Sequence, residues 1–587
     1  MVASVLRHRR TNRTGWAAVA AVAVIAVVGG SLVYARHSAA GCSGTPVQVN
    51  IVASPDQAPL MRRLADQWTT SKPAVDGQCV GAVVRPMPPG AVATQLGPGW
   101  DEGRDGPRPD VWAPDFSAWL LVAAGRPDAA GLLPQATPAS LASSPVVIAM
   151  QRPMAEVLGW PGRQLGWSDL IGTFAHGKTW AQLGHPEWGP LRIGMPDPTL
   201  STAGQVAIMT VLDTDNNQNL GDNELFAGLL LSQLATPEAD DSPVMLRNFL
   251  AADSPAKLTK LPAAFPVLER DLAEYAANKP AVELSPIYPR DGIAYADYPY
   301  AVLRAPWVDE TRQQAAQDFL DYLRSEPGQQ AYEAAGFRDP DRGTKDVTLL
   351  AGERGFKQEV AAAPRKLTTE SLTGLLGMWQ VMQRPNNAML VLDISGSMND
   401  TVPGTRGSRL DLIRKAAMSG VTLLNNQTTI GLWVFSTKLT PATDYLEVVA
   451  PGKAGDLVGG VPRRLAIAGA VQKLRARGGT ALYDTVLAAY LRMQQAWRPN
   501  AQNVLVVMTD GKNEDDVGLS LAQLTARLRA VVKQDQPLPI IGIAVGPQAD
   551  ANALRTISQV TGGRTFVARD DVAAIQHIVL AFAGRVS

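Results

Sequence analysis

The sequence predicts an α/β fold in which an N-terminal transmembrane helix is followed by two large domains. Three observations predict it: an apolar segment at residues 15–34, alternating short strands and helices through residues 42–338, and a second such alternation after residue 385. Strands and helices that alternate across polar loops build parallel sheets. At roughly 100–200 residues per domain, a chain of 587 residues is expected to form several folding units.

The amino-acid composition argues against several classes of function. The chain carries 54 basic and 54 acidic side chains, which argues against a nucleic-acid partner because nucleic-acid-binding domains usually have a strongly basic surface. The hydrophobic content of 46% is enough to form buried cores. Five histidines and two cysteines leave little material for zinc or iron–sulfur chemistry.

The N-terminal segment is predicted to anchor the chain in a membrane. Residues 1–14 contain four arginines, one histidine and no acidic residue, and the apolar run at 15–34 follows directly. About 20 residues suffice for a helix to cross a bilayer, and basic flanks stay in the cytoplasm. We therefore expect a cytoplasmic tail at 1–14, a single-pass helix in the cell membrane, and the bulk of the chain outside.

Two alternatives to the anchor stay open. Ser38-Ala39-Ala40 is an acceptable cleavage site for a signal peptide, and Cys42 suggests lipoprotein processing. Beyond residues 15–34, no stretch of the sequence reaches 18 apolar residues, which argues against a channel or transporter pore.

Cys42 and Cys79 are the two cysteines of the chain. An even number of cysteines in an oxidising compartment favours one disulfide, although two buried free thiols are the alternative. By chain entropy, closing the loop between them contributes on the order of 3–4 kcal/mol.

The first large region shows strands that run into polar loops. Val47–Ala53 is a predicted strand followed by Ser54, and Ser144 precedes the predicted strand Val146–Met150. Other polar loops contain Asp110 and the stretch from Pro196 to Gly204, with a helix predicted from Gln205. Ligand sites of such α/β sheets lie at the carboxyl ends of strands and at helix N-termini.

Together with Tyr298-Pro299-Tyr300 and Ala335-Gly336-Phe337-Arg338, these pieces make residues 42–338 resemble a bacterial extracellular solute-binding protein of the type II periplasmic-binding fold. The resemblance implies two lobes around a cleft and a small-molecule ligand. It places six polar residues near that cleft: Ser54, Asp110, Ser144, Ser201, Thr202 and Tyr298. The alternative is that these residues are N-caps and turn residues in a domain kept as a scaffold.

Residues 339–384 are predicted to be a linker that contains a helix. Its first part is polar and irregular, with Gly and Pro interrupting any periodicity. Apolar residues then recur on one face from Thr369 to Gln383, and Pro385 ends the pattern.

The second large region predicts a doubly wound parallel sheet. The apolar run Ala388–Leu392 is typical of a strand buried on both faces. A helix is predicted at Arg409–Leu424 and another at 519–533. The other predicted strands are Thr429–Phe435, Asn503–Met508 and Pro539–Val545.

Five oxygen-bearing side chains are expected at one edge of this sheet. Asp393, Ser395 and Ser397 follow the first strand at alternate positions, whereas Thr480 and Asp510 come from other loops at the same edge. Carboxylate and hydroxyl oxygens suit Mg²⁺, Ca²⁺ or Mn²⁺. Because the donors are too few to fill an octahedral ion, one position would remain for water or for a carboxylate of a protein partner.

On these motifs, residues 385–587 resemble a von Willebrand factor type A domain. The resemblance implies that Asp393-x-Ser395-x-Ser397, Thr480 and Asp510 form a metal-ion-dependent adhesion site, in which the two aspartates often act through water. A set of acidic residues is expected near its rim, of which the last three favour solvated surface: Asp484, Glu514, Asp515 and Asp516.

The predicted function is a membrane-anchored, non-enzymatic extracellular protein that uses this metal site, with Mg²⁺ as the expected ion, to engage an acidic residue of a protein partner. The alternative is a solute receptor that delivers a small ligand to a separate ABC-type permease. The sequence contains no nucleophile elbow, no HExxH and no phosphate-binding GxxxxGK[ST], and no histidine near Ser395 supports a nucleophile.

Overall fold

The computed structural model describes residues 42–175, 179–189, 191–213, 222–237, 241–252, 260–344, 347–350, 354–361, 367–401, 407–422, 424, 427–546 and 549–568. The predicted cytoplasmic tail and transmembrane helix, residues 1–34, lie outside these described residues. Within them, no helix combines the length and the apolar character needed to cross a membrane.

Two sheets belong to the first half of the chain. Their strands are β1 (Ser43–Ala53), β2 (Ala74–Val75), β3 (Gln78–Pro86), β4 (Val111–Ala113), β5 (Ala139–Ser140), β6 (Ser144–Gln151), β7 (Ile193–Met195), β8 (Ala235–Pro237), β9 (Ala264–Leu268), β10 (Leu284–Ile287), β11 (Tyr295–Ala296) and β12 (Pro299–Val302). The strand order is β2-β3-β1-β4-β12-β5 in one sheet and β10-β6-β9-β7-β8 in the other, where β11 also pairs with β6.

The helices of this half, numbered among the described residues, connect these strands. They are α1 (Ala58–Thr70), α2 (Pro89–Gln95), α3 (Glu102–Asp105), α4 (Ala118–Ala124), α5 (Pro127–Ala130), α6 (Arg152–Val157), α7 (Trp167–Ala175), α8 (Thr202–Leu212), α9 (Asp222–Leu234), α10 (Ser242–Leu250), α11 (Glu269–Ala277), α12 (Glu310–Arg324) and α13 (Glu326–Ala334).

The chain divides into two compact units. The first combines described residues of 1–144 and 296–351, and the second combines those of 145–295 and 352–587. The first unit contains the sheet around β1, which pairs in parallel with β3 and β4. Trp68 of α1 packs on Phe319 of α12, with ring centroids 5.1 Å apart.

The cysteine prediction is confirmed within the first unit. Cys42 and Cys79 form a disulfide with their Cα atoms 5.0 Å apart. The bond ties the start of β1 to β3, the neighbouring strand of the sheet. Among the described residues there is no free cysteine.

In the second unit, the sheet around β6 carries a fully buried helix. All eight residues of β6 are buried, as expected of the predicted strand Val146–Met150. Every residue of α8 is buried as well. A β-carbon at Gly204 would lie 2.4 Å from the Pro196 carbonyl oxygen, so the loop before α8 wraps closely around the start of this helix.

The predicted linker helix is present as α14 (Thr369–Gln383). Its buried residues follow the predicted face: Leu372, Leu375, Trp379 and Met382. The helix contacts α8 and α9. The segment before it is also packed, because Lys357 N donates to Tyr288 Oη at 3.0 Å and Tyr295 Oη donates to the Val360 carbonyl at 3.0 Å.

The last part of the chain forms a third large sheet. Its strands and the neighbouring short hairpin are β13 (Asn386–Asp393), β14 (Thr429–Phe435), β15 (Tyr445–Lys453), β16 (Leu457–Val458), β17 (Val461–Pro462), β18 (Gln502–Thr509), β19 (Ile540–Val545) and β20 (Thr565–Ala568). The helices are α15 (Arg409–Thr422), α16 (Arg463–Gln472), α17 (Leu482–Gln495), α18 (Leu521–Val531) and α19 (Ala551–Val560).

This sheet has the order β15-β14-β13-β18-β19-β20. Its pairs are parallel except for β15, an edge strand that runs antiparallel to β14. Met389 and Val391 of β13 belong to one buried cluster with residues of α17, α18 and α19. Because side chains alternate along a strand, Leu390 and Leu392, also fully buried, point to the opposite face. The parallel part of the sheet is thus covered on both sides.

Candidate metal site

The site lies where β13 and β18 end. The two strands pair in parallel, with Leu392 beside Met508. Asp393 and Asp510, which follow these positions, therefore emerge at the same edge of the sheet. Continuous apolar runs bury both strands and hold the two loops at a fixed spacing.

Asp393 forms the buried floor of the site. Its Oδ1 accepts from the Ser395 backbone N–H at 2.7 Å, and its Oδ2 accepts from the Thr509 hydroxyl. Burial raises the pKa of Asp393 to about 7, although the hydrogen bonds from Ser395 and Thr509 oppose the shift. Burial disfavours the ionised form of this carboxylate, and a cation bound nearby would stabilise that form.

A chain of oxygen atoms connects the other donors. Ser395 Oγ and Ser397 Oγ are 3.2 Å apart, and Ser397 Oγ donates to Asp510 Oδ1 at 2.9 Å. Gly396 N donates to the Gly478 carbonyl at 2.8 Å, which fastens this loop to the loop that carries Thr480.

Thr480 completes the group. A β-carbon placed on Gly511 would lie 2.9 Å from Thr480 Oγ1 and 3.7 Å from Ser397 Oγ, so both hydroxyls border the space above Gly511. Thr480 Oγ1 is buried and has no hydrogen-bond partner in the described part of the protein. An unsatisfied buried hydroxyl costs about 1–3 kcal/mol, and a bound cation would satisfy it.

The donor chemistry fits a divalent cation with a preference for oxygen ligands. Two carboxylates and three hydroxyls meet at this edge, and hard oxygens of this kind suit Mg²⁺, Ca²⁺ or Mn²⁺. Across the described residues, no group of three or more His, Cys, Asp or Glu side chains is placed to hold a metal ion. A cation bound here would therefore take part of its ligands from the hydroxyl groups of Ser395, Ser397 and Thr480.

Two residues that the sequence analysis does not assign to the metal also contact the site. Arg409 Nη1 lies 2.6 Å from Asp510 Oδ2. Glu514 Oε2 accepts from the Thr480 backbone N–H at 3.2 Å. The sequence predicts Glu514 at the rim, whereas it predicts Arg409 only as the start of a helix. A basic residue in the first turn opposes the helix dipole, which marks Arg409 as unusual but does not identify the carboxylate that it faces.

The other rim acids have structural contacts. Asp484 Oδ2 accepts from the Leu519 backbone N–H at 2.8 Å, and Asp515 Oδ1 accepts from that of Val517 at 3.2 Å. These bonds shape the loop after Asp510. Asp516 is exposed, as expected of solvated surface.

In the first unit, three of the predicted cleft residues are engaged within the protein. Ser54 Oγ accepts from Gln57 Nε2 at 3.0 Å. Asp110 Oδ2 accepts from the Asn50 backbone N–H at 2.7 Å, and burial raises the pKa of Asp110. Tyr298 has a φ of 44° and donates its hydroxyl to Asp56. Ser54 and Tyr298 thus meet at the turn that contains Asp56.

The remaining three predicted cleft residues are also buried. Ser144 begins β6. Ser201 is the N-cap of α8 without a side-chain capping bond, and Thr202 is the first residue of that helix. Ser201 and Thr202 belong to the second unit, whereas the other four belong to the first. A ligand-binding role for these residues stays a prediction.

Comparisons with known proteins agree with this architecture. Residues 49–338 match the family model of bacterial extracellular solute-binding proteins, and residues 387–580 match that of the von Willebrand factor type A domain. An uncharacterized protein recorded in two strains of Mycobacterium tuberculosis is 24% identical over 545 residues, which are 91% of this chain and 76% of the relative.

Solved structures with similarity to the chain include both kinds of domain. A von Willebrand factor type A protein from Catenulispora acidiphila is 22% identical, with 34% of this chain and 42% of that chain covered and a TM-score of 0.28. The periplasmic binding protein AfuA from Actinobacillus pleuropneumoniae, solved with fructose-6-phosphate, is 12% identical, with 57% and 97% covered and a TM-score of 0.40.

Proposed function

We propose that this chain is a membrane-anchored, non-enzymatic binding protein that captures a protein partner through a divalent cation. The proposal is supported by the matches of residues 49–338 to extracellular solute-binding proteins and of residues 387–580 to the von Willebrand factor type A domain. Residues 15–34 serve as the anchor. The cation is held at the candidate metal site, and an acidic side chain of the partner completes its coordination.

The observation that carries this proposal is the Thr480 hydroxyl. It is a buried oxygen without a partner in the described structure, beside the linked oxygens of Ser397 and Asp510. Ser395, Ser397 and Thr480 would supply hydroxyl ligands, with Asp393 and Asp510 as the anionic groups. The bound cation would supply the positive charge that attracts a carboxylate of the partner.

Thr480→Val in the full chain tests the metal site. Valine keeps the shape of threonine and removes an oxygen that makes no hydrogen bond to any described residue, so the metal-free protein should be as stable as wild type or more stable. Its Mg²⁺ affinity, measured by isothermal titration, should fall at least about tenfold, the scale seen when groups that support a metal site are lost. Thr485→Val is the matched control, because Thr485 is buried in α17 and its hydroxyl donates to the Ala481 carbonyl at 2.8 Å.

Unchanged Mg²⁺ affinity in Thr480→Val, or no Mg²⁺ binding by the wild-type chain, would contradict the proposed site. The partner chemistry is tested separately with peptides that contain one Asp or Glu and with their Asn or Gln counterparts. We expect binding of the acidic peptides in Mg²⁺ and its loss in EDTA. Equal binding of acidic and amide peptides would rule out capture through a carboxylate.

The match of residues 49–338 to solute-binding proteins supports a second candidate function, a receptor that delivers a small ligand to a separate permease. Thermal unfolding of the full chain with a panel of oxyanions and sugars tests it. A saturable rise in melting temperature that persists in Thr480→Val would favour this function, since a bound ligand stabilises the folded state. The absence of any shift across the panel would count against it.

A further inference from the structure

A buried arginine contacts the candidate metal site. Arg409 is the first residue of α15 and its side chain is only 6% exposed. Its Nη1 lies 2.6 Å from Oδ2 of the fully buried Asp510 and 3.5 Å from Oδ2 of the exposed Asp400. Asp510 Oδ1 accepts from Ser397 Oγ, so the Asp510 carboxylate is held from both sides.

We infer that Arg409 is a built-in counter-charge of the metal site that sets how tightly the site holds a divalent cation. The inference rests on the proposed function, because it concerns the same site. Asp393 and Asp510 bring two negative charges when ionised, and Arg409 offsets one of them. Asp400 and Glu514 are exposed, so solvent screens their charges and they are left out of this balance.

The positive charge of Arg409 has two effects, one in the metal-free protein and one when a cation is bound. In the metal-free protein, the guanidinium stabilises Asp510, which would otherwise be a buried charge without a counter-ion. When a divalent cation binds, the cluster of two carboxylates, one guanidinium and one cation becomes positive by one unit. An acidic side chain of a partner restores neutrality, so the cation and the partner bind cooperatively.

Isothermal titration of the full chain with Mg²⁺ alone tests the inference. Arg409→Gln removes the positive charge, so its Mg²⁺ affinity should rise at least about tenfold, since a unit charge a few ångströms from the ion acts strongly in a buried site. Arg409→Lys keeps the charge and should stay within a few-fold of wild type. Arg414→Gln is the matched control, because Arg414 is on the same helix but pairs with Asp411.

Thermal unfolding gives a second readout. Arg409→Gln should be less stable than wild type in EDTA and should gain more from Mg²⁺, because the cation replaces the lost guanidinium as partner of Asp510. Arg409→Met, which keeps an apolar stem in the packed site, provides a second uncharged variant. If neither uncharged variant folds even in saturating Mg²⁺, the inference fails.

The remaining outcomes separate the inference from the proposed function. If wild type binds Mg²⁺ and the affinity of Arg409→Gln is unchanged or weaker, the proposed role of Arg409 is wrong. The proposed metal site is then still supported. Tighter binding in both Arg409→Gln and Arg409→Lys also overturns it, because charge would not be the cause. No Mg²⁺ binding by wild type or any variant overturns the inference and the proposed site together.

Discussion

At the scale of single residues, the side chains at the edge of the third sheet differ in whether their buried oxygen atoms have hydrogen-bond partners. Asp393 is fully buried, with both carboxylate oxygens accepting hydrogen bonds, whereas Thr480 has a buried oxygen that accepts none within the described structure. Asp510 is neutralised by Arg409. In the metal-free site, the two aspartates thus have hydrogen-bond or ion-pair partners, whereas the Thr480 hydroxyl has none among the described residues.

The pKa of Asp393 predicts how the stability of the metal-free protein depends on pH. Burial raises this pKa to about 7, against about 3.9 for an unfolded aspartate. Between about pH 4 and 7 the folded state keeps a proton that the unfolded state has released. The free energy of unfolding contributed by Asp393 should therefore fall as pH rises through this window and level off above it.

Urea unfolding of the full chain in EDTA, repeated across this pH window, measures the effect. Asp393→Asn keeps the shape of the side chain without a titrating group, so its unfolding free energy should lack this component of the pH dependence. The same slope in the variant and in wild type would show that another group is responsible.

The donors of the candidate site could be predicted from the sequence, whereas Arg409 could not. Asp393 and Asp510 each follow an apolar strand, and parallel neighbours end at the same edge. The sequence does not state which carboxylate the first residue of a helix will face. The contact between Arg409 and Asp510 depends on how α15 packs, which is a property of the folded chain.

At the scale of elements, the buried strands and the linker helix could be predicted because their patterns are local. Thr429–Phe435 and Thr369–Gln383 have the predicted bounds. β15 and α16 are among the elements of this region that the local pattern does not predict, together with α17, α19 and β20. β15 is partly exposed and irregular in its burial, so its strand conformation comes from pairing with β14 rather than from an alternating pattern.

Helix α14 is predicted to be a structural part of the second unit and not a flexible connection. Leu372 is fully buried on the face that carries the other apolar residues of the helix. Leu372→Ala should lower the free energy of unfolding by about 2–5 kcal/mol and speed proteolysis within 339–384. Gln380→Ala, on the exposed face, is the control, and equal protection of both variants would contradict a packed helix.

At the scale of the whole molecule, the division into two units predicts two unfolding transitions. The disulfide belongs to the first unit and the candidate metal site to the second. In calorimetry of the full chain, a reductant should lower only one transition, since opening the disulfide loop removes about 3–4 kcal/mol of loop-closure stabilisation. Mg²⁺ should raise only the other, because a ligand stabilises the unit that binds it.

Matched variants assign these two transitions. Replacing Cys42 and Cys79 together with alanine should reproduce the effect of the reductant and leave the response to Mg²⁺ intact. Thr480→Val should weaken the response to Mg²⁺ and leave the effect of the reductant intact. If Mg²⁺ and reductant move the same transition, the two units are not independent folding units.

The antiparallel strand β15 forms one edge of the third sheet. An open sheet edge invites a strand of another molecule to add to it, and natural proteins block such edges with bulges, prolines and charged side chains. β15 has register irregularities against β14 and contains Pro451. The Arg463 side chain donates to the carbonyl oxygens of Ala450 and Lys453. We therefore expect Arg463, the first residue of α16, to hinder the pairing of β15 with a strand of a neighbouring copy.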